Sequence, residues 1–514
     1  MGTDRVVVIG SGLAGLVASI AAAEEGARVI CLTKSPPGLG NCTTVAGGGF
    51  TLAVGGWTPT EHRELTLKTG HHLNQADLVE ATVQEAPDMA RRLKKWGVAF
   101  TESRGSIGTG RYAPHALRRG EVITRPLVKW AQDLGVEFIP RTLVTRLFTD
   151  QRGISGVEWL DKRDGSYHAL AASSVVLATG GAGQAWGRTD NPPGTTGDGF
   201  RLACELGLSF RDMEFVQFYP LGVYEPGFTT WMIGLHLADL VPLTDQDGQD
   251  LLTPWLEEWG LQDAAHANFV ARDRVTVGLG QLYDRGGAAY LNVDRLSPDQ
   301  WQLSDLKLLA RMYPRHRSPG DAPLRVRPLQ HYLCGGVVIT DQGETELPGL
   351  WAVGELSGGM DGANRVGGNA LSHCMVMGYR AGKRAAQSTR MITTSPRLRE
   401  LPTSSQGVVP EEFLKAVRDI SDEYLGPIRH AQGLNEAQRA LDQMGDQLGP
   451  WRVLRPRDLV SAYQAHSAWV VARLVCLGAR IRTESRGTHY RSDYPQQDAG
   501  WDRTVFLGPS RYGK

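Results

Sequence analysis

Three glycines, Gly10, Gly12 and Gly15, are spaced as GxGxxG directly after the β-branched run Arg5 to Ile9 and at the start of the Ala-rich stretch Leu13 to Glu25. In that position the pattern binds phosphate. The first glycine makes a tight turn, the second lets backbone approach a pyrophosphate, and the third lets the helix pack closely, with the helix N–H groups aimed at the anion. A further strand-like run, Ala27 to Leu32, completes a βαβ unit, so Leu13 and Ala14 should lie beside the dinucleotide. An acidic residue usually follows to hold the ribose, but here Thr33 and Lys34 end the second strand, and a hydroxyl can still make that contact. Two later runs, VVLATGGAG (Val175 to Gly183) and GLWAVGE (Gly349 to Glu355), read as buried strands that deliver small residues to the cofactor: Ala178, Thr179 and Gly180 from one, Gly354 from the other. They turn the reading toward a flavin, FAD.

The elements that must position these residues are legible in outline. Gln75 to Trp96 has Leu78, Thr82, Ala86, Met89 and Leu93 at helical spacing. A helix from about Arg125 to Leu134 precedes a strand around Val136 to Ile139, and Arg141 to Trp159 suggests a strand and hairpin. From about Arg211 to Pro328 the composition shifts to many Trp, Pro and Asp residues with interrupted helices, which suggests an inserted domain. A helix from Ala370 to Gln387 would rejoin the first unit, Ser388 to Pro410 reads as a linker, Glu411 to Ala479 is largely helical, and the tail to Lys514 is polar and irregular.

At 514 residues the chain is too long for one ordinary domain. Lys+Arg and Asp+Glu balance at 55 each, so no overall field gathers nucleic acid or an anionic membrane. The six cysteines are scattered without a CxxC pair, which argues against zinc, iron–sulfur or disulfide sites and leaves no metal expected. A reducing, cytoplasmic location follows as the expectation. Val6 to Ile9 is too short for a signal-peptide core, and no run of about 20 apolar residues predicts direct membrane insertion.

Further stretches add CTTVAGGG (Cys42 to Gly49), NPPGTTGDG (Asn191 to Gly199), DMEFVQFYP (Asp212 to Pro220), HYLCGGV (His331 to Val337), GANRVGGNAL (Gly362 to Leu371) and ESRGTHYRSDYP (Glu484 to Pro495). In this order the chain resembles the flavoprotein family of the succinate dehydrogenase and fumarate reductase flavoprotein subunits and L-aspartate oxidase, most weakly between Val223 and Phe269. The resemblance implies an α/β fold: a Rossmann-like FAD-binding domain in two parts (1–210 and 329–390), an inserted α+β capping domain for the substrate (211–328) and a C-terminal helical domain and tail (411–514). It places Cys42, Thr43, Thr44, Gly48, Gly49, Asp198, Asn369, Ala370 and Leu371 among the cofactor contacts, with Glu355 facing the ribityl chain. A histidine carries FAD covalently in the respiratory members; this sequence offers Thr43 at the matching position, which implies non-covalent FAD.

The same resemblance implies hydride exchange between flavin N5 and a carbon next to a carboxylate. Arg272, in ARDRV, matches the family's proton donor or acceptor, while His331 and Arg365 match residues that clamp the substrate carboxylate. Guanidinium groups suit that task by their bidentate geometry. Two departures stand out. Tyr219 occupies the place of a substrate-binding histidine, and the family's Thr/Ser-Glu pair and glycine-rich loop give way to a shorter HLADLVPLTDQDGQD, His236 to Asp250. Other histidines, such as His62, His71 and His168, sit in polar stretches and receive no role. The sequence therefore predicts an FAD-dependent oxidoreductase acting on a small (di)carboxylate or amino acid. The alternatives are a flavin subunit that hands electrons to an iron–sulfur or quinone-linked partner, and a non-catalytic FAD-binding protein.

Overall fold

The computed structural model describes residues 5–112, 119–228, 230–314, 317–388, 392 and 404–509. Most of the linker expected over Ser388 to Pro410, and the end of the tail, lie outside them. The β-branched run Arg5–Ile9 becomes the central strand of a five-stranded parallel sheet. Its neighbours are Ser174–Leu177 and Arg28–Thr33, with Leu350–Ala352 and Glu137–Pro140 at the edges. Chain segments separated by hundreds of residues thus end at one edge of the sheet. A ligand in an open parallel sheet sits beyond that carboxyl edge.

The first helix, Leu13–Glu24, is buried from Leu13 through Ala22 because its residues are small or apolar on every face. Against it lies Asn369–Gln387, at backbone contact. A Cβ on Gly378 would stand 2.5 Å from the Ala14 carbonyl oxygen, and one on Gly382 only 2.2 Å from that of Ala18. These helices begin beside the cavities described below, so their contact fixes two walls of the site at once. The helix expected at Gln75 to Trp96 runs Ala76–Lys95, and that expected at Arg125 to Leu134 begins earlier, at Glu121. The hairpin read after Arg141 is part of a three-stranded antiparallel sheet, Thr142–Asp150, Gly153–Asp161 and Tyr167–Ala171.

The inserted segment builds its own antiparallel sheet, in the order Val216–Val223, Leu324–Leu333, Ala289–Leu291, Leu243–Asp245, around an apolar core that includes Leu221, Leu235, Val275 and Val326. The strand Leu324–Leu333 runs through residue 328, where the sequence suggested a boundary, because it pairs along the whole length of Val216–Val223. Helices Pro410–Tyr424, Ala431–Asp446 and Pro456–Ile481 follow. Their buried Val417, Leu434 and Val471 join the same core as the parallel sheet. A buried ionic chain reinforces this junction: Arg482 pairs with Glu214 at 2.7 Å and Glu484 at 2.9 Å, and Arg486 pairs with Glu484 at 2.7 Å. Among the described residues no helix is long and apolar enough to cross a membrane.

Alanine is ordinarily the better helix former by about 1 kcal/mol, but at Gly382 its methyl would meet backbone that cannot yield. Gly382→Ala is therefore expected to lower stability by about 1–3 kcal/mol in urea unfolding; an increase would show that the helix contact is looser than described.

Candidate active site

Two cavities meet beyond the sheet edge. The narrower one passes Gly10, Gly12, Leu13, Ala14, Thr33 and Lys34 on one side, and Ala178, Thr179, Gly180, Asp198 and Gly354 on the other. Cys42, Thr43, Glu355 and Cys374 line both cavities, so they mark the passage between them. The wider cavity, about 470 Å³, holds Gly48, Gly49, Ala370 and Leu371 on its sheet side and Tyr219, Arg272, His331 and Arg365 toward the inserted domain.

The turn geometry explains the glycines. Gly10 has φ +110°, and a Cβ there would strike the Ala178 carbonyl at 2.2 Å. Gly15 lies behind the cavity rather than in it, with its Cα hydrogens packed on Gly10 so that a Cβ would come within 2.0 Å of the Gly10 oxygen. Other expected contacts are redirected. The Thr33 hydroxyl is shared with Ser11 (2.9 Å) and donates to the Ser35 carbonyl (3.2 Å), so it is already engaged within the protein. Thr44 does not line either cavity; its hydroxyl donates to the Gly38 carbonyl and holds the loop beneath. Asn369 also turns away from them: it is fully buried, its Oδ1 meets His62 Nε2 at 2.8 Å and its Nδ2 donates to Thr66. His62, which received no role from sequence, is the buried partner that fixes this helix start.

Lys34 and Asp198 form the strongest polar contact in the narrow cavity, at 2.5 Å; Lys34 also donates to the Gly194 carbonyl and to Thr196. Burial opposes charge on Asp198, but Lys34 beside it, Arg201 and the Thr196 hydroxyl outweigh that opposition and hold its carboxyl below the usual range. Ser467 of the long C-terminal helix donates to the same carboxylate. Glu355, at the passage, accepts from the Leu333 N–H, and burial pushes its carboxyl up to about 7 against that bond and Arg365.

The wider cavity is cationic at one end. Arg272 and Arg365 are 8 % and 6 % exposed, and among the described residues neither has an ion-pair partner. Among the described residues, the Arg272 side chain donates to the Arg365 carbonyl (3.3 Å). Arg365 donates to Gln217 at 2.9 Å, lies over the Tyr332 ring at 4.1 Å and keeps a buried Nε without a protein acceptor. Burial, and then the like charge of Arg365, bring Arg272 down to about 10. Such convergence of buried cations favours an anionic ligand. His331 Nδ1 meets Asp190 at 2.7 Å, which orients the ring and leaves its other nitrogen for a ligand. Asp361, near Arg365, is raised by burial to about 6.

Tyr219 is in the cavity wall, but its hydroxyl is committed: it donates to Asn268 (2.8 Å) and accepts from the Leu235 N–H (2.9 Å). It secures the inserted domain instead of offering a hydrogen bond. Sequence reasoning also missed Asp190, which directly precedes the NPPGTTGDG run. The wall of Trp231, Met232, Ile233, Leu237, Leu308 and Leu309 was missed as well. Most of that wall comes from the stretch with the weakest motif signal.

The fit to a flavin dinucleotide is good: the backbone-close glycines admit a pyrophosphate, the cavities are continuous, and Thr179 carries a buried hydroxyl with no protein partner at the narrow cavity. Fold and site together define an FAD-dependent oxidoreductase. The FAD binding domain family matches residues 5–371, and the fumarate reductase flavoprotein C-terminal family matches 414–508. The chain belongs to the fumarate reductase and succinate dehydrogenase type of FAD-binding flavoproteins. It is 30% identical over 535 residues to a subunit of the CoM/CoB fumarate reductase of Methanothermobacter marburgensis, covering 98% of this chain and 96% of that one. It is 32% identical to an L-aspartate oxidase of Streptomyces coelicolor, covering 98% and 92%. Among solved structures, quinol fumarate reductase of E. coli superposes with a TM-score of 0.85 at 23% identity, covering 98% and 94%, a likeness of fold. Mycobacterium smegmatis Sdh1 gives 0.83 at 27% identity over the same shares.

Removing the cation at the narrow cavity should expose what it balances. Lys34→Met is expected to cost about 3 kcal/mol in urea unfolding, because it leaves Asp198 charged, nine-tenths buried and short of its main partner. Adding Asp198→Asn should recover part of that loss; equal stability of Lys34→Met and wild type would refute the pairing.

Proposed function

We propose that the wide cavity oxidises or reduces a small carboxylate at the carbon beside its carboxyl group, with Arg365 and His331 holding the carboxylate and Arg272 exchanging the proton. The observation that carries this reading is the pair of buried guanidiniums, without counter-ions among the described residues, at one end of the cavity. The glycine turn, Thr179, Asp198 and Glu355 would hold FAD, which when bound takes up or gives back a hydride. In oxidation the substrate would give up a proton to Arg272 and a hydride for which bound FAD would be the acceptor, leaving one new double bond. Reduction reverses both transfers. Guanidinium ordinarily keeps its proton, but burial and Arg365 bring Arg272 to about 10, which makes exchange accessible. The inserted domain contributes apolar side chains to the cavity lining, which would lower the exposure of the reacting carbon to water.

The relatives named fumarate reductase and L-aspartate oxidase support dicarboxylates and amino acids as the first compounds to test. A second reading, favoured by the Methanothermobacter relative being one chain of a larger enzyme, makes this protein the flavin-carrying part of an electron-transfer assembly. Among the described residues no His, Cys, Asp or Glu cluster is arranged to hold a metal ion, so electron transfer through an iron–sulfur cluster would require a partner. A cytoplasmic location belongs to the same reading; the described cysteines are all free thiols, which suits a reducing compartment.

Two measurements test the assignment. As proton acceptor Arg272 works deprotonated, so the log rate of substrate oxidation should climb with a slope of about one until pH about 10; as donor it works protonated, so reduction should fall above the same pH. Arg272→Ala should retain FAD and lose roughly 10²- to 10⁴-fold in kcat; full turnover in that variant refutes the role.

FAD is held without a covalent bond in this reading. The Thr43 hydroxyl accepts the Leu13 N–H at 3.1 Å, and the adjacent Cys42 thiol is pushed well above its ordinary value by burial and by Glu355, so it stays protonated and weakly nucleophilic. Acid precipitation should leave all flavin in the supernatant, whereas flavin fluorescence in the Cys42 peptide would overturn this.

A further inference from the structure

Part of the wide cavity's lining differs in chemistry from the two guanidiniums. Trp231, Met232, Ile233 and Leu237 approach it from one segment of the inserted domain, and Leu308 and Leu309 from the helix Ser304–Met312. The first segment is held in register: Val223 N–H donates to the Trp231 carbonyl, Ile233 N–H donates to the Leu221 carbonyl at 2.7 Å, and Met232 bridges Gly222. Its continuation is fastened by the Leu235 N–H on the Tyr219 hydroxyl. The wall is thus part of the folded sheet edge, presented to the cavity at fixed positions.

Among the described residues, polar groups of this part of the lining are few, and most are engaged. The Tyr219 hydroxyl donates to Asn268 and accepts the Leu235 N–H, Asn268 keeps its amide nitrogen as a neutral donor, and His236 is engaged. Arg119, the remaining arginine of the lining, is engaged as well and precedes Gly120, whose N–H donates to the Thr44 carbonyl on the sheet side. A second carboxylate placed against the apolar wall would lose its water to indole, thioether and aliphatic carbons. An apolar substituent would instead gain from the same contacts.

Resting on the carboxylate reading above, we propose that the substrate is a monocarboxylate with an apolar tail, its carboxyl group on Arg365 and His331 and its tail against Trp231, Met232 and Leu308. The cavity would then select by two features: charge fixes the reacting carbon, and the tail fixes which acid is accepted.

The test uses the FAD-loaded full chain and reads shifts in flavin absorbance under anaerobic titration with cinnamate and 2-hexenoate, against fumarate and succinate. The unsaturated monocarboxylates are expected to bind about tenfold or more tighter than fumarate, in line with what an apolar pocket discriminates. Leu308→Arg should reverse the order, weakening cinnamate and strengthening fumarate by about tenfold each, with flavin content unchanged. Fumarate or succinate binding as tightly as cinnamate in the wild type, and weakening in His236→Ala, would overturn the tail assignment while leaving the carboxylate reading intact. Absence of any spectral shift with all four acids, together with unaltered spectra in Arg365→Gln, would overturn both.

Discussion

The backbone contact between the helices Leu13–Glu24 and Asn369–Gln387 is the constraint on which the site depends. Gly378 and Gly382 let the second helix rest on the carbonyls of Ala14 and Ala18. Any larger residue would push the helices apart, and the displacement would be felt at both their N-terminal ends. One of those ends follows the glycine turn of the narrow cavity, and the other carries Ala370 and Leu371 into the wide one. Nucleotide end and reaction end are therefore registered to each other by packing that contains no chemistry of its own. Small residues are what make such an approach possible.

The electrostatics of the wide cavity rest on a second kind of restraint. Two guanidiniums sit close together without counter-ions among the described residues, an arrangement that costs stability unless surroundings fix them. Gln217 ties Arg365 through its amide oxygen, and its amide nitrogen donates to Asn364 and to the Arg365 carbonyl. Tyr332 supplies a ring face beneath the cation. Burial raises the Glu355 and Asp361 carboxyls, to about 7 and about 6, against the charge of Arg365 nearby. The junction behind this cavity is held by Glu214, Arg482 and Glu484, which are themselves fully buried and paired.

The glycine turn, the strand–helix alternation and the cationic trio were legible because each is carried by residue type and local spacing. What escaped is what depends on direction and on long separation. Lys34 and Asp198 both read as cofactor contacts from the sequence, yet their pairing across 164 positions was not legible there. Asn369 was placed correctly along the chain but its side chain points to His62, because the start of a helix presents residues to opposite sides. Tyr219 looked like a replacement ligand, and only the folded insert shows its hydroxyl spoken for. The apolar wall had no motif at all: Met232 and Leu308 are ordinary core residues by type, distinguished only by facing a cavity.

The helix contact also dictates an order of events during synthesis. Arg5–Ile9 and Leu13–Glu24 are made first, yet the strand Leu350–Ala352 and the glycines that seal the first helix arrive more than three hundred residues later. Until then the nascent first helix has an apolar flank open to water, and the glycine turn lacks the wall built by Gly354 and Glu355. Loop closure over such separations is slow. A ribosome-bound chain therefore carries an incomplete nucleotide cradle until the wall of Gly354, Glu355 and Cys374 has been made.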